Sequence, residues 1–525
     1  MEKYIVDQSM LSFIPRSTYY LTLEEQVKAV ESSWESLLEL DRELFTLLMV
    51  LPGTHYAKGR MMHYLLSNST GKKRSHHDMR IFGEIDELIE DHIILHNLRQ
   101  MPMASALRSL MFLAGVDYAG RTLKKVNNKR SRRIVMNYIF DRDKKSLESM
   151  VVKFRSKLGK LLTHAFGQVD LYRLFRHFDT RPMTKYCRNI FTGDYFNYNL
   201  CLSTIAFVFG KYDDVTDLGG VVEDYMEMAN AAKNKDVAVF TDILKKGSIP
   251  YEVAMGFKNT YKLDVSMEDI HSKGHKSERE KLKSKESAKK VGVDTEVDYE
   301  KQSVEDIMKY LYLKGVDEGV YDAEIERLLN ILINKLESNE LDIDFGRVGV
   351  IVDNSASMAG TETRKYHPII TAVILANQIP NVAKYSFSNV DAKDARLLIR
   401  PEGNTELWKC LLDVAEENVD TVIVISDGYE NTVEGLFEHV YNSIRNNGKT
   451  FDLVHINPVY DSTVKGAKRL VNDIKPIEVT NASLFKSQYI LNVLTSGEVV
   501  KVKALLKDMF NKQIGGNKYE LITGK

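Results

Sequence analysis

The stretch RVGVIVDNSAS, residues 347–357, decides how this chain reads. Its first six residues are a short, nearly continuous apolar run rich in valine and isoleucine, the composition of a strand buried on both faces. It breaks off into Asp353-Asn354-Ser355-Ala356-Ser357, one carboxylate and two hydroxyls on a single turn. Further on, AKYSFSN (383–389), ARLLIR (395–400), DTVIVISDG (420–428) and TFDLVHIN (450–457) read as more strands. Helix-length stretches at 366–378 and 405–417 lie between them. Alternating β and α segments with continuous apolar strands predict an α/β domain with a doubly wound parallel sheet. Sites in such sheets sit at the carboxyl ends of the strands.

Two later segments bring oxygen donors to that edge. Thr405 follows Gly403-Asn404 at a helix start, and Asp427 ends the strand that begins at Thr421. Two carboxylates and three hydroxyls suit a hard divalent cation, which takes oxygen ligands and keeps several waters. An Asp or Ser at a strand end also serves as a helix N-cap, but five positions in the right strand order favour the cation. Asp353, Ser355, Ser357, Thr405 and Asp427 match, without a gap, the metal-ion-dependent adhesion site of von Willebrand factor A domains. The chain resembles that domain over about residues 345–479. The resemblance implies bound Mg²⁺ or another divalent cation such as Mn²⁺.

Upstream of this domain the periodicity changes. Within LEEQVKAVESSWESLLELDRELFTLLMVL (23–51), Val27, Val30, Trp34, Leu37, Leu38, Phe45 and Leu48 follow a 3.6-residue period. Similar stretches at 82–98, 105–113, 131–140, 145–163 and 236–245 predict an all-α region of antiparallel helix pairs, a solenoid or irregular bundle without a strict repeat. Residues 271–302 have few large apolar side chains and many charges, which predicts a mobile linker or loop. A helix pair is expected over 303–337. The expected domains are therefore a helical module at 1–270, the linker at 271–302, a helix pair at 303–343 completing the helical module, and the α/β domain with C-terminal helices at 344–525.

The whole-chain numbers exclude more than they identify. The 525 residues are 44% hydrophobic and 28% charged, ordinary values that rule out wholesale disorder. The 72 basic and 73 acidic side chains nearly cancel, so any nucleic-acid site must be a local patch. Three cysteines (Cys187, Cys201, Cys410) cannot make a disulfide framework and suit a reducing compartment. No signal-peptide pattern and no 18-residue apolar run occurs, so a cytoplasmic location without a membrane partner is expected. Gly448-Lys449-Thr450 ends like a phosphate-binding loop, but Ser443 stands where the first glycine belongs and the segment leads from helix to strand. No Gly-x-Ser-x-Gly elbow occurs, and His92 and His96, spaced as zinc ligands can be, lack the glutamate of a catalytic zinc site. The chain is expected not to be an enzyme.

A local basic patch does occur. RTLKKVNNKRSRR (121–133) carries seven cations and no acid and runs into a helix start. Like charges there oppose the helix dipole, whereas phosphate would be attracted by the cations and the backbone amides together; a solvated basic face is the alternative. The stretch KRSRRIVMNYIFDRDKKSLESMVVKFRSKLGKLLTHAF (129–166) resembles the TROVE module of the Ro ribonucleoprotein autoantigen family, and MPMASALRSLMFLAG (101–115) is similar to an upstream helix of it. The family also ends in a von Willebrand factor A domain. The chain departs from it where Asn127, Asn128 and Lys129 replace glycines and where Gly159-Lys160 shortens a His-Arg-Asp stretch. The resemblance implies a HEAT-like helical ring that binds small structured noncoding RNA and single-stranded RNA ends. Lys124, Lys125, Lys129, Arg130, Arg132, Arg133, Lys153 and Arg155 are the expected RNA-binding surface, with Phe154, Tyr172, Phe175 and Tyr186 as candidate stacking groups. The competing reading is a metal-dependent adaptor, in which a partner's carboxylate completes the cation shell, as for proteins that accompany AAA+ chaperones. A metal-dependent nuclease would need more acidic ligands.

Overall fold

A computed structural model describes residues 10–14, 22–68, 87–117, 123–167, 171, 198–389, 397–430, 432–459, 468–495 and 497–514. The chain forms two compact units, one of residues 1–40, 51–57 and 299–506, the other of 41–50, 58–298 and 507–525. In chain order the helices are α1 (Leu23–Leu40), α2 (Arg42–Leu48), α3 (His55–Ser67), α4 (Glu87–Gln100), α5 (Met103–Leu113), α6 (Lys129–Phe140), α7 (Lys144–Phe166), α8 (Tyr198–Val208), α9 (Val221–Asn234), α10 (Val237–Lys245), α11 (Tyr251–Tyr261), α12 (Met267–Lys273), α13 (Glu278–Lys289), α14 (Val304–Leu311), α15 (Ala323–Glu337), α16 (His367–Gln378), α17 (Leu407–Ala415), α18 (Leu436–Asn446), α19 (Phe485–Thr495) and α20 (Val499–Ile514).

The α/β unit is built on five parallel strands, β1 (Val348–Val352), β2 (Val382–Phe387), β3 (Thr421–Ile425), β4 (Asp452–Asn457) and β5 (Ile477–Glu478), in the order β2-β1-β3-β4-β5. β1 and β3 are buried at every position, which is why they are apolar throughout. Ile351, Val422 and Val424 pack with Leu407, Leu411 and Val414 of α17 and with Phe437 and Tyr441 of α18. Gly349 permits the approach of α17, since a Cβ there would lie 2.0 Å from Val414 Cγ1. The strand order reverses between β1 and β3, where Val352 pairs with Ile425. Asp353 and Ser426 therefore leave the sheet side by side at the switch point of a doubly wound fold.

One strand expectation and one domain expectation are corrected. ARLLIR is not a strand in its described part, 397–400, and the fifth strand is instead the two-residue β5. Residues 303–343 do not complete the helical module; they belong to the α/β unit. α14 passes into a π-helical turn, Tyr312–Asp317, before α15. That turn is tied to the α/β unit by Tyr312 Oη to the Ile399 carbonyl (3.1 Å) and Arg400 to the Val316 carbonyl (2.8 Å).

The 23–51 stretch is cut at Asp41, where the helical unit begins and whose side chain caps α2 by accepting from the Leu44 amide at 2.9 Å. α6 starts at Asn128, which accepts from the Ser131 amide, and buries Ile134, Val135, Tyr138 and Ile139. α7 starts at Asp143, is interrupted at Phe154 (φ −122°, ψ 24°) and ends at Gly167 (φ 82°). α9 to α12 enclose a second core around Met228, Phe240, Ile243, Leu244 and Ile270.

The expectation of a loop at 271–302 is also corrected, because α13 occupies its middle. Ser277 and Glu280 form a reciprocal capping box, with 2.8 and 3.4 Å bonds to each other's amides. Lys153 of α7 reaches Glu280 at 2.5 Å, and Ala288 and Val297 are buried. Charges that find partners in the fold give the same composition as charges left in water.

Candidate cation site and cationic cavity

The carboxyl edge of β1 and β3 gathers oxygen atoms. Asp353 and Ser355 are fully buried, Asp427 is 5% exposed, and Ser357 opens to solvent. Asp353 Oδ1 accepts from the Ser355 amide at 2.9 Å, and Oδ2 accepts from the Ser426 hydroxyl at 2.7 Å. The hydroxyls of Ser355 and Ser357 stand 3.1 Å apart. The loop before Thr405 is held against this turn: the Ala356 amide donates to Gly403 O (3.2 Å) and the Glu402 amide to Asn354 O (2.9 Å). Thr405 itself is buried, and Thr432 Oγ1 donates to its carbonyl at 3.3 Å.

No basic side chain pairs with Asp353 or Asp427 among the described residues. Burial, and then the negative charge of Asp427, push the Asp353 carboxyl above its usual range. Two buried carboxylates without a counter-charge are costly unless a cation joins them. Among the described residues no three His, Cys, Asp or Glu side chains converge on a metal-sized space. The donors here are two carboxylates plus hydroxyls, a set that fits Mg²⁺ or Mn²⁺ and not zinc. Sequence reasoning missed Ser426 and Ser388, which donates to Asn354 Oδ1 at 2.9 Å; a hydroxyl directly before Asp427 was a readable signal for the first.

The basic residues are not brought into one surface. Arg130 is buried and bridges Glu90 (2.8 Å) and Asp91 (2.5 Å); burial opposes its charge, but those carboxylates outweigh it and raise its pKa. Arg133, half exposed, also pairs with Asp91 at 2.5 Å. Lys153 is held by Glu280 and, at 3.1 Å, by Glu252. Arg155 donates to the Val208 carbonyl (3.1 Å) and the Tyr212 hydroxyl (2.7 Å) and lies over the Tyr212 ring. Arg130, Lys153 and Arg155 are therefore structural cations, corrected from the expected RNA surface. Lys124, Lys125 and Lys129 are exposed. Phe154 is half-buried under Lys157, while Tyr172, Phe175, Tyr186 and Arg121 lie outside the described residues.

Lys125 and Arg132 instead meet α7 across a cavity of about 710 Å³, together with Asn127, Ser156, Lys160, Thr163 and His164. Gly115, Gly159, Gly167 and Phe209 complete much of its wall, and among the described residues no acidic side chain lines it. Arg132 is oriented by Asn127 Oδ1, which accepts from Nε at 3.0 Å. His164 has a buried Nε2 without a hydrogen-bond partner among the described residues. Burial first, then Arg132 and Lys125, push its pKa down to about 4. Three cations, the Ser156 hydroxyl and a neutral imidazole around one space have the chemistry to take an anion, while the Thr163 hydroxyl donates to the Gly159 carbonyl at 2.7 Å. Lys160 and His164 were missed, although Ser156, Lys160, Thr163 and Gly167 recur at helical spacing along one face of α7.

No protein-family model matches this chain, and no curated protein matches it. Among solved structures, the crystal structure of the Ro (RSR) protein of Deinococcus radiodurans superposes with a TM-score of 0.46 and 14% identity, over 92% of this chain and 94% of that one. No helix among the described residues is long and apolar enough to cross a membrane.

Proposed function

We propose that the protein is an RNA-binding scaffold of a small noncoding ribonucleoprotein, a diverged relative of the Ro family. The helical unit takes RNA backbone phosphate in the cationic cavity, and the α/β unit holds Mg²⁺ or Mn²⁺ on Asp353, Ser355, Ser357, Thr405 and Asp427. The observation that carries this reading is the cavity itself: Lys125, Arg132 and Lys160 face one space with no acidic side chain in its lining among the described residues. Anion binding there needs hydrogen-bond donors and positive charge, which Asn127 and Ser156 supply beside the cations. No step in this reading is catalytic; the cation would supply positive charge and an open coordination position.

Protein purified from its own cells tests the proposal. Co-purifying RNA, released by high salt and lost in a Lys125→Gln, Lys160→Gln variant, supports it. Nucleic-acid-free protein with a stoichiometric protein partner supports the adaptor reading instead. Tyr429 and Val433, 42% and 53% exposed just beyond Asp427, are the observation that favours that second reading.

A further inference from the structure

We propose that the π-turn Tyr312–Asp317 is a latch that positions two of the three loops of the cation site, with Asp317 and Tyr366 as positioning residues, so that cation affinity and the state of this turn are coupled. The inference rests on the cation reading above and adds a control element to it.

The two loops are gripped from the same turn. Asp317, its last residue, accepts from the Tyr366 hydroxyl at 2.5 Å on Oδ1 and from Lys365 Nζ at 2.7 Å on Oδ2. Tyr366 closes the loop that begins at Asp353: its amide donates to the Ala359 carbonyl at 2.6 Å, two residues beyond Ser357. Tyr312, the first residue of the turn, packs on Tyr366 with ring centroids 5.3 Å apart and donates to the Ile399 carbonyl. The Val316 carbonyl receives Arg400. Residues 399–403 lead to Thr405 and are themselves bonded to Asn354 and Ala356. One turn thus holds the Ser355–Ser357 loop from one side and the Thr405 loop from the other.

Both sides of the grip use uncommon backbone. Tyr366 stands in the left-handed region (φ 63°, ψ 4°), where an L side chain persists only if its surroundings hold it. The π-turn closes i→i+5 hydrogen bonds, one residue longer than those of an α-helix, so its return to α-helix would be a one-residue shift. That shift would carry Asp317 away from Lys365 and Tyr366 and would move the Val316 carbonyl off Arg400. A cation that needs both loops in place favours the latched turn. By linkage, whatever holds the turn latched strengthens cation binding by the same factor.

The test uses the full chain with Mn²⁺ as the probe. Calorimetry compares wild type with Asp317→Asn and Tyr366→Phe, and hydrogen exchange follows residues 355–366 in metal-free protein. Each variant should weaken Mn²⁺ binding about fivefold to twentyfold. The double variant should lose no more than the larger single effect, because the two residues share one bond. Exchange across 355–366 should rise in Asp317→Asn while thermal unfolding stays cooperative. Unchanged affinity in Asp317→Asn overturns the coupling, with the cation reading left standing if wild type still binds and Asp427→Asn does not. If wild type takes no Mn²⁺, the cation reading fails. Exchange alone then decides whether the turn positions the loops, and unchanged protection in Asp317→Asn overturns that too.

Discussion

Replacing Lys125 and Lys160 with glutamine removes two of the three cations that face the cavity, and the consequence can be worked out as a salt dependence. Each phosphate neutralised on a single strand contributes a slope of about −0.7 to log K against log salt. With Lys125, Arg132 and Lys160 each meeting one phosphate, wild type should show a slope near about −2, or roughly a 20-fold loss of affinity between 50 and 200 mM KCl. With Arg132 alone the slope should fall to about −0.7 and the loss to about threefold over the same range. Fluorescence anisotropy of a labelled oligouridylate, titrated at four KCl concentrations, reads both numbers. Lys153→Gln is the control: Lys153 is spent on Glu280 and Glu252, so its loss should leave the slope alone. A double variant that keeps the wild-type slope, or a Lys153 variant that flattens it, refutes the assignment of phosphate to this cavity.

Protonation of His164 should couple to the same site. Its folded pKa of about 4 lies below the ordinary value of 6.5, so the unfolded chain binds the extra proton between those values. Stability contributed above pH 6.5 is then lost as pH falls toward 4, and His164→Gln should flatten that part of a urea-midpoint profile. Phosphate in the cavity offsets the charges of Arg132 and Lys125, so RNA should bind more tightly at pH 5.5 than at pH 7.5, with proton uptake measurable in buffers of different ionisation enthalpy. At the cation site, Asp427→Asn should raise the melting temperature in EDTA by relieving the buried like-charge pair. The same variant should abolish the stabilisation that Mg²⁺ gives wild type, about 2.7 kcal/mol at 100 times Kd. Arg130→Met should lower stability by about 3–5 kcal/mol in urea unfolding, because Glu90 and Asp91 lose a buried partner.

The α/β unit was legible because its strands are unbroken apolar runs and its ligand candidates follow directly after them. Asp353 comes after Val352 and Asp427 after Ile425 and Ser426, so local sequence placed both at one edge. Arg130 could not be separated from Arg132 by sequence, since both stand in one basic run. What divides them is Glu90 and Asp91, some 40 residues away, which claim the first and leave the second to the cavity. Lys153 was misread for the same reason, its partners lying at 252 and 280. The helix at 278–289 was hidden by its charge, although Ser277 and Glu280 already spelled a capping box. The π-turn has no composition of its own; it exists because of bonds to residues 365, 366, 399 and 400.

The discontinuous build of the α/β unit has a consequence for synthesis. Residues 1–40, with α1, and 51–57 belong to it, yet the remainder of that unit begins only at Tyr299, about 240 residues later. At the usual pace of roughly 5–20 residues per second, the ribosome needs about 12–48 s to cover that distance. During this interval the buried face of α1, with Val27, Val30, Trp34, Leu37 and Leu38, has been made but the strands of the same unit have not. The intervening helical unit is incomplete as well, since residues 507–525 belong to it. A nascent chain stalled before Tyr299 should therefore present one sticky helix beside a helical unit that still lacks its last segment, an obvious client for a ribosome-associated chaperone.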